Sequence, residues 1–379
     1  MTDSSQASII VIGAGIAGAS AAWALAANGS VILLEQADTP GYHATGRSAS
    51  VLSETSGHRV VCALAAASRS FFEAPPVGFV DHPLLSRRGL LWVGEAADAE
   101  LLDGLALSAR AIAPSVRRLT PAEVLELVPH FHPDAIAGGG TFEPDAMAID
   151  TDALLQGFVR GFRQRGGRLI TSSQVTKLRR NGDKWEVTTP AHTLHAPVVI
   201  NAAGAWGDVI AERAGVPTLG LEPMRRTACI AALDDVDPGW PLVMDAAGRY
   251  YFEPESGGLL ISPADATPSE PCDARAEEID VALALDRVQQ ATTLPVRSVR
   301  RAWAGLRTFS PDAAPVVGEE PAESGFWWLV GQAGGGIKTA PAIAQAIASM
   351  IHGEQLPPAI TERMVTVADL SPARFRSSR

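Results

Sequence analysis

Residues 9–35 begin Ile-Ile-Val-Ile-Gly-Ala-Gly-Ile-Ala-Gly, pass through an alanine-rich stretch to Asn28-Gly29, and end Val-Ile-Leu-Leu-Glu. This order prescribes a buried strand, a tight turn, a helix, a second strand and an acid at its end. Gly13 allows the turn, Gly15 lets the backbone approach a pyrophosphate, and Gly18 lets the helix pack on the strand. The helix start at Ile16 and Ala17 offers free N–H groups and a positive dipole end to phosphate. Glu35, with Gln36 after it, is placed to accept hydrogen bonds from ribose hydroxyls. Such a unit binds a dinucleotide. The acid suits NAD or FAD and would repel the 2′-phosphate of NADP. The motif alone does not choose between the first two.

At 379 residues the chain exceeds one ordinary core, so two domains are expected. The net charge of −11, with no basic stripe, argues against a nucleic-acid partner. Cys62, Cys229 and Cys272 form no Cys-x-x-Cys and are odd in number, which fits reduced thiols. The eight histidines show no metal-ligand spacing, so no metal is expected. Residues 8–28 are apolar, yet no basic leader precedes them and the glycine pattern accounts for the stretch. No transmembrane segment is read elsewhere, and a cytoplasmic protein is the expectation.

Hydrophobic patterning predicts helices over 60–72, 97–112, 121–128 (capped by Thr120), 153–165 (capped by Asp150), 207–214, 276–291 and 341–351. Buried strands are predicted at 168–171, 197–201 and 326–330, and a hairpin over 175–189 around Asn181-Gly182. Residues 218–262 alternate like antiparallel strands, and 297–309 return as strand and loop. Dinucleotide-type elements therefore occur at the start, middle and end of the chain, with antiparallel stretches between them. The reading is an α/β fold in which a Rossmann-like cofactor domain is interleaved with a mixed antiparallel-sheet substrate domain. The first comprises 1–77, 148–217 and 302–379; the second comprises 78–147 and 218–301.

Several further stretches carry a resemblance. They are Pro40-Gly41-Tyr42-His43-Ala44-Thr45-Gly46-Arg47-Ser48-Ala49, His82-Pro83-Leu84-Leu85-Ser86, Asp150-Thr151-Asp152-Ala153-Leu154, Asn201-Ala202-Ala203-Gly204-Ala205-Trp206, Trp303-Ala304-Gly305-Leu306-Arg307 and Leu370-Ser371-Pro372. On these the chain resembles the FAD-dependent D-amino-acid oxidase and dehydrogenase superfamily, most of all its D-arginine dehydrogenase branch. The resemblance selects FAD. It implies a cofactor loop at Thr45, Gly46, Arg47, Ser48 and Ala49, with Arg47 either on phosphate or on the surface. It also implies a backbone clamp on adenine at Val175 and further contacts from Ala203, Gly204, Trp206 and Gly305. Gly335, Gly336, Ile337, Lys338 and Thr339 open the last helix, whose N–H groups can face the flavin edge where negative charge develops. No cysteine follows Cys272, so the FAD is expected to be non-covalent.

The chemistry implied is oxidative deamination: hydride leaves the α-carbon and water hydrolyses the imine. Arg307, Arg226 and Tyr251 match the superfamily's carboxylate clamp, and the Gly334 carbonyl its acceptor for the amine. For Arg226 a surface salt bridge is the alternative. Arg225 and Tyr250 should face the opposite way by strand alternation. The D-arginine branch has an acid where Leu90 stands, and a His and a Tyr where Val51 and Ser56 stand. With Ser53, these residues are expected to line a side-chain pocket without a charge partner. That predicts neutral, apolar D-amino acids as substrates. The alternatives are a secondary-amine or 2-hydroxy-acid oxidoreductase and, from another class, a dinucleotide-bearing protein without amine chemistry. The electron acceptor, quinone or oxygen, stays open.

Overall fold

The computed structural model describes residues 5–376 except 235 and 256. Six strands form the first sheet, in the order Val316–Glu319, Phe326–Val330, Val198–Asn201, Ile9–Ile12, Val31–Leu34, Arg168–Ile170. All neighbours are parallel except the 316–319 and 326–330 pair. These strands are apolar at nearly every position because both faces are covered. Ile9, Val11 and Leu33 pack under helices Ile16–Leu25 and Gly336–Ile351. Ile10, Ile12, Ile32 and Leu34 point the other way, onto Trp185, Val187 and Leu194 of a three-stranded antiparallel meander. Gly18 is where helix and strand touch: a Cβ there would lie 1.8 Å from the Gly13 carbonyl oxygen. Gly13 itself has φ +102°, in the left-handed region that glycine tolerates.

The second sheet has nine strands. Glu222–Ala231 pairs along its length with Val299–Phe309 on one edge. On its other edge follow Gly258–Ser262, Tyr251–Glu255, Leu242–Asp245, Leu90–Gly94, Gly139–Glu143 and Arg117–Leu119, with the short Thr267–Pro268 beside its start. Strand alternation gives this sheet two unlike faces. Leu91, Val93, Cys229, Val243, Phe252, Leu259 and Ile261 form a dry core with Ala284 and Val288 of helix Glu278–Ala291. The opposite face carries Arg226, Ile230, Tyr251, Glu253 and Leu260, and it borders the cleft described below. A small third sheet joins Val51–Leu52, Met147–Ile149 and Leu85–Arg87.

Three details depart from the expectations. The hairpin loop is Gly182-Asp183, because Asn181 pairs with Lys184; Gly182, at φ +63°, takes the first loop position. The helix expected over 341–351 starts at Gly336 and holds Pro341 inside it, so the end of the glycine run is already helical, and two short helices, Pro358–Thr361 and Val367–Leu370, follow it. The boundary drawn at 302 falls within Val299–Phe309, a strand paired continuously with its neighbour. Among the described residues no helix is long and apolar enough to cross a membrane.

Candidate active site

A cleft of about 1670 Å³, solvent mouth included, runs from the glycine turn to the start of helix Gly336–Ile351. Gly13, Gly15, Ile16 and Ala17 form one end, with Glu35 and Gln36 beside them. The buried Glu35 carboxylate accepts from the N–H of Ala14 at 2.8 Å and of Ala37 at 2.9 Å. Burial raises its pKa, and these backbone bonds oppose the rise. Thr45 Oγ1 accepts from the Ile16 N–H at 2.9 Å, tying the following loop to the helix start. Thr45, Arg47, Ser48, Ala49, Val175, Ala203, Gly204 and Trp206 line the middle. Gly305, Gly334, Gly336 and Ile337 line the far end.

Five residues expected at the cofactor do not line the cleft. Gly18 lies beneath the turn, and Gly46 donates its N–H to the Gly41 carbonyl at 2.7 Å. Gly335 packs on Val61, which a Cβ would approach to 2.6 Å. Thr339 Oγ1 turns back to the Gly335 carbonyl at 2.9 Å. Lys338 points away from the cleft: its buried Nζ donates to the carbonyls of Ser53 at 2.9 Å and Ser56 at 2.6 Å. Arg47 lines the cleft with its guanidinium held by protein groups rather than free on the surface. Its Nη1 donates to the carbonyls of Ala274 at 2.6 Å and Ala304 at 2.9 Å, and its Nη2 pairs with Asp273.

The far end gathers the residues expected to form the clamp. Arg226 and Tyr251 line the cleft together with Arg307, and the Arg226 guanidinium stands 5.9 Å from the Tyr251 ring centroid. Met224 pairs with Arg307 and Arg226 with Gly305, so the two arginines are diagonal neighbours on adjacent strands. Arg226 Nε donates to the Asp265 carbonyl, and the Asp265 carboxylate is 3.8 Å away. Burial, then the charge of Arg307, lowers the Arg226 pKa. Among the described residues the Arg307 guanidinium has no hydrogen bond or ion pair. A Cβ on Gly334 would lie 3.5 Å from its Nη1. Arg225 faces away, paired with Glu277 and Asp280, and Tyr250 stacks on Phe252 in the dry core.

Val51, Ser53, Ser56 and Leu90 do not line this cleft. Ser53 and Thr55 donate to Glu143 Oε2 at 2.7 and 2.5 Å, while Lys338 takes the Ser53 and Ser56 carbonyls. Val51 pairs with Ala148 in the small sheet. Leu90 is buried between Glu143 and Leu242 on neighbouring strands. The loop is turned inward by a carboxylate and an ammonium distant in sequence, which no local pattern announces. Sequence reading also missed Asp265, Asp273 and Gln332. Gln332 Nε2 is buried in the cleft wall with no partner among the described residues. Next to it Ala333 holds φ +47°, a conformation costly for a residue with a side chain.

An unpaired amide donor, a helix start at Gly336 without a side-chain cap and a cleft reaching from there to the glycine turn fit a dinucleotide with a polar ring edge. A family model described as DAO, FAD dependent oxidoreductase, matches residues 8–350. The chain belongs to this family of FAD-dependent oxidoreductases. The match covers the glycine turn, Arg226, Tyr251, Arg307 and most of helix Gly336–Ile351, and FAD is the cofactor of this DAO-family chain. Glycine oxidase of Geobacillus kaustophilus is 25% identical over 96% of this chain and 95% of its own length. FAD-dependent oxidoreductase domain-containing protein 1 of Mus musculus is 27% identical over 74% of this chain, which spans 64% of that relative. Human dimethylglycine dehydrogenase is 26% identical, and the match covers 62% of this chain and 30% of the relative. The fold follows that of a crystal structure of glycine oxidase from G. kaustophilus, with TM-score 0.83, 23% identity, and 93% and 96% of the two chains covered. Iminodiacetate oxidase from Chelativorans sp. BNC1 aligns with TM-score 0.78 and 24% identity over 96% and 98%. These relatives support the superfamily and do not single out its D-arginine branch.

Proposed function

We propose that this DAO-family chain oxidises the amine of small α-amino acids, secondary amines in particular. One observation carries the reading. Two guanidinium groups and a phenol converge on the cleft beside Gly334, and one of the cations, Arg307, has no anion of its own among the described residues. Burial and, after it, the neighbouring charge of Arg307 both disfavour the charged form of Arg226. A substrate carboxylate relieves the repulsion between the two cations and matches the planar fork of arginine. Bound FAD supplies the acceptor for the hydride that leaves the α-carbon. The protein's part is placement: Arg307 and Arg226 hold the carboxylate, the Tyr251 hydroxyl donates to it, and the Gly334 carbonyl accepts from the amine. A carbonyl acceptor with no side chain beside it tolerates a substituent on nitrogen. The names of the relatives, dimethylglycine dehydrogenase and iminodiacetate oxidase among them, support the secondary-amine class. Primary D-amino acids are the second class, favoured by the same clamp.

The test is anaerobic flavin bleaching against N-methyl, N-carboxymethyl, cyclic, D- and L-amino acids and 2-hydroxy acids. Bleaching by amines with an α-carboxylate, secondary amines fastest, is the expected result. Arg307→Met should lower kcat/KM at least 100-fold, about 3 kcal/mol at 1.36 kcal/mol per decade. Bleaching by 2-hydroxy acids alone, or an unaffected Arg307→Met enzyme, overturns the reading.

A further inference from the structure

A second cavity abuts the first. It holds about 1580 Å³, solvent mouth included, and shares Ser48 and Ala49 with the cofactor cleft as a common wall. Its lining includes Glu253, Arg88, Leu260 and Trp303. Glu253 follows the candidate clamp residue Tyr251 by two positions, so both side chains leave the same sheet face about 7 Å apart. Its side chain is only 5% exposed, yet its carboxylate accepts no hydrogen bond among the described residues. The nearest cation is Arg88 Nε at 3.4 Å, and that nitrogen is itself buried without a hydrogen-bond partner. Glu253 and Arg88 thus form a buried ion pair at a cavity wall in which neither the carboxylate nor Nε has a hydrogen bond among the described residues. Buried polar atoms without hydrogen bonds cost free energy that a ligand can recover.

We propose that this cavity receives the distal end of an extended substrate, and that Glu253 and Arg88 bind a group offering both an acceptor and a donor, as a carboxamide does. The carbonyl accepts from Arg88 Nε and the amide N–H donates to Glu253. The inference rests on the carboxylate clamp proposed above, which fixes the other end of the substrate. It also replaces the apolar preference read from Leu90. The register pairing Val243 with Phe252 places Glu253 beside Leu242, which pairs with Leu90. An acid therefore stands two strands from Leu90 in the same row. Burial pushes its pKa up to about 7, so the site can carry the neutral or the charged acid near neutrality.

The test uses the FAD-loaded full chain and ligands that cannot be oxidised. The monoamides of glutaric, adipic and pimelic acid are titrated calorimetrically against branched carboxylates of the same shape. In the native protein at least one amide should bind about tenfold more tightly than its apolar twin. Glu253→Leu should erase that preference while both series still bind. Arg88→Met, altered on a different segment, should erase it too, which covers failure of the first variant to fold. Equal binding of amide and apolar twins in the native protein, or a preference surviving both substitutions, overturns this inference alone. Binding of every carboxylate unchanged by Arg307→Met overturns the clamp and the inference together.

Discussion

At the scale of single residues, contacts too close for a side chain and groups lacking partners carry the argument. Gly18 leaves no room for a methyl group, since the obstacle is the Gly13 backbone rather than a movable side chain. Gly18→Ala should cost about 3 kcal/mol or more and release FAD; thermal melting and the flavin-to-protein absorbance ratio read both. Glu253 makes a pH-dependent prediction. Its pKa rises from 4.5 to about 7 by burial, so the folded protein keeps a proton that the unfolded chain gives up. The resulting stability is fully present below pH 4.5 and is lost as pH climbs to about 7. Glu253→Gln has no such proton to lose. The melting temperature of the native protein should fall relative to that of Glu253→Gln between those pH values. Parallel curves would show that the carboxyl titrates normally.

At the scale of elements, the first strand–helix–strand unit was legible because its pattern is local. Four apolar residues, three spaced glycines and a closing acid lie within one stretch of chain. Helix caps were legible for the same reason: Thr120 Oγ1 accepts from the Glu123 N–H, and Asp150 from that of Ala153. Thr193–Ala196 and Val316–Glu319 were not read as strands, and Gly139–Glu143, expected as a loop or edge strand, is an interior one. They are short; Thr193–Ala196 and Val316–Glu319 pair with strands close by in sequence, whereas Gly139–Glu143 pairs with the distant Leu90–Gly94. The same limit hid the clasp on residues 53–56, made by Glu143 from one side and Lys338 from the other. Burial depresses the Lys338 pKa, and its two carbonyl partners hold the ammonium in place. Lys338→Met leaves those carbonyls unpaired, at a cost of about 2 kcal/mol. Hydrogen exchange should quicken at residues 53–57 and not in the first sheet. Unchanged exchange there would mean that Glu143 alone holds the loop.

At the scale of the whole molecule, Val299–Phe309 joins what the sequence suggested were separate units. Its first part closes the edge of the substrate-side sheet, and its last part delivers Arg307 to the cofactor cleft. Beyond it, the Thr308 carbonyl accepts from the Ala333 N–H at 2.9 Å, so the strand also fixes the backbone leading to Gly334. Residues 218–301 expressed alone should therefore remain unfolded by circular dichroism, because they lack 302–309 and the 85–94 and 139–143 strands. A folded fragment would show that the sheet is autonomous. For anyone wishing to retarget this molecule by recombination, the strand rules out a cassette exchange. A transplanted recognition sheet must bring its own Arg307 strand, and the donor and recipient must agree on the seam where that strand meets Gln332 and Ala333.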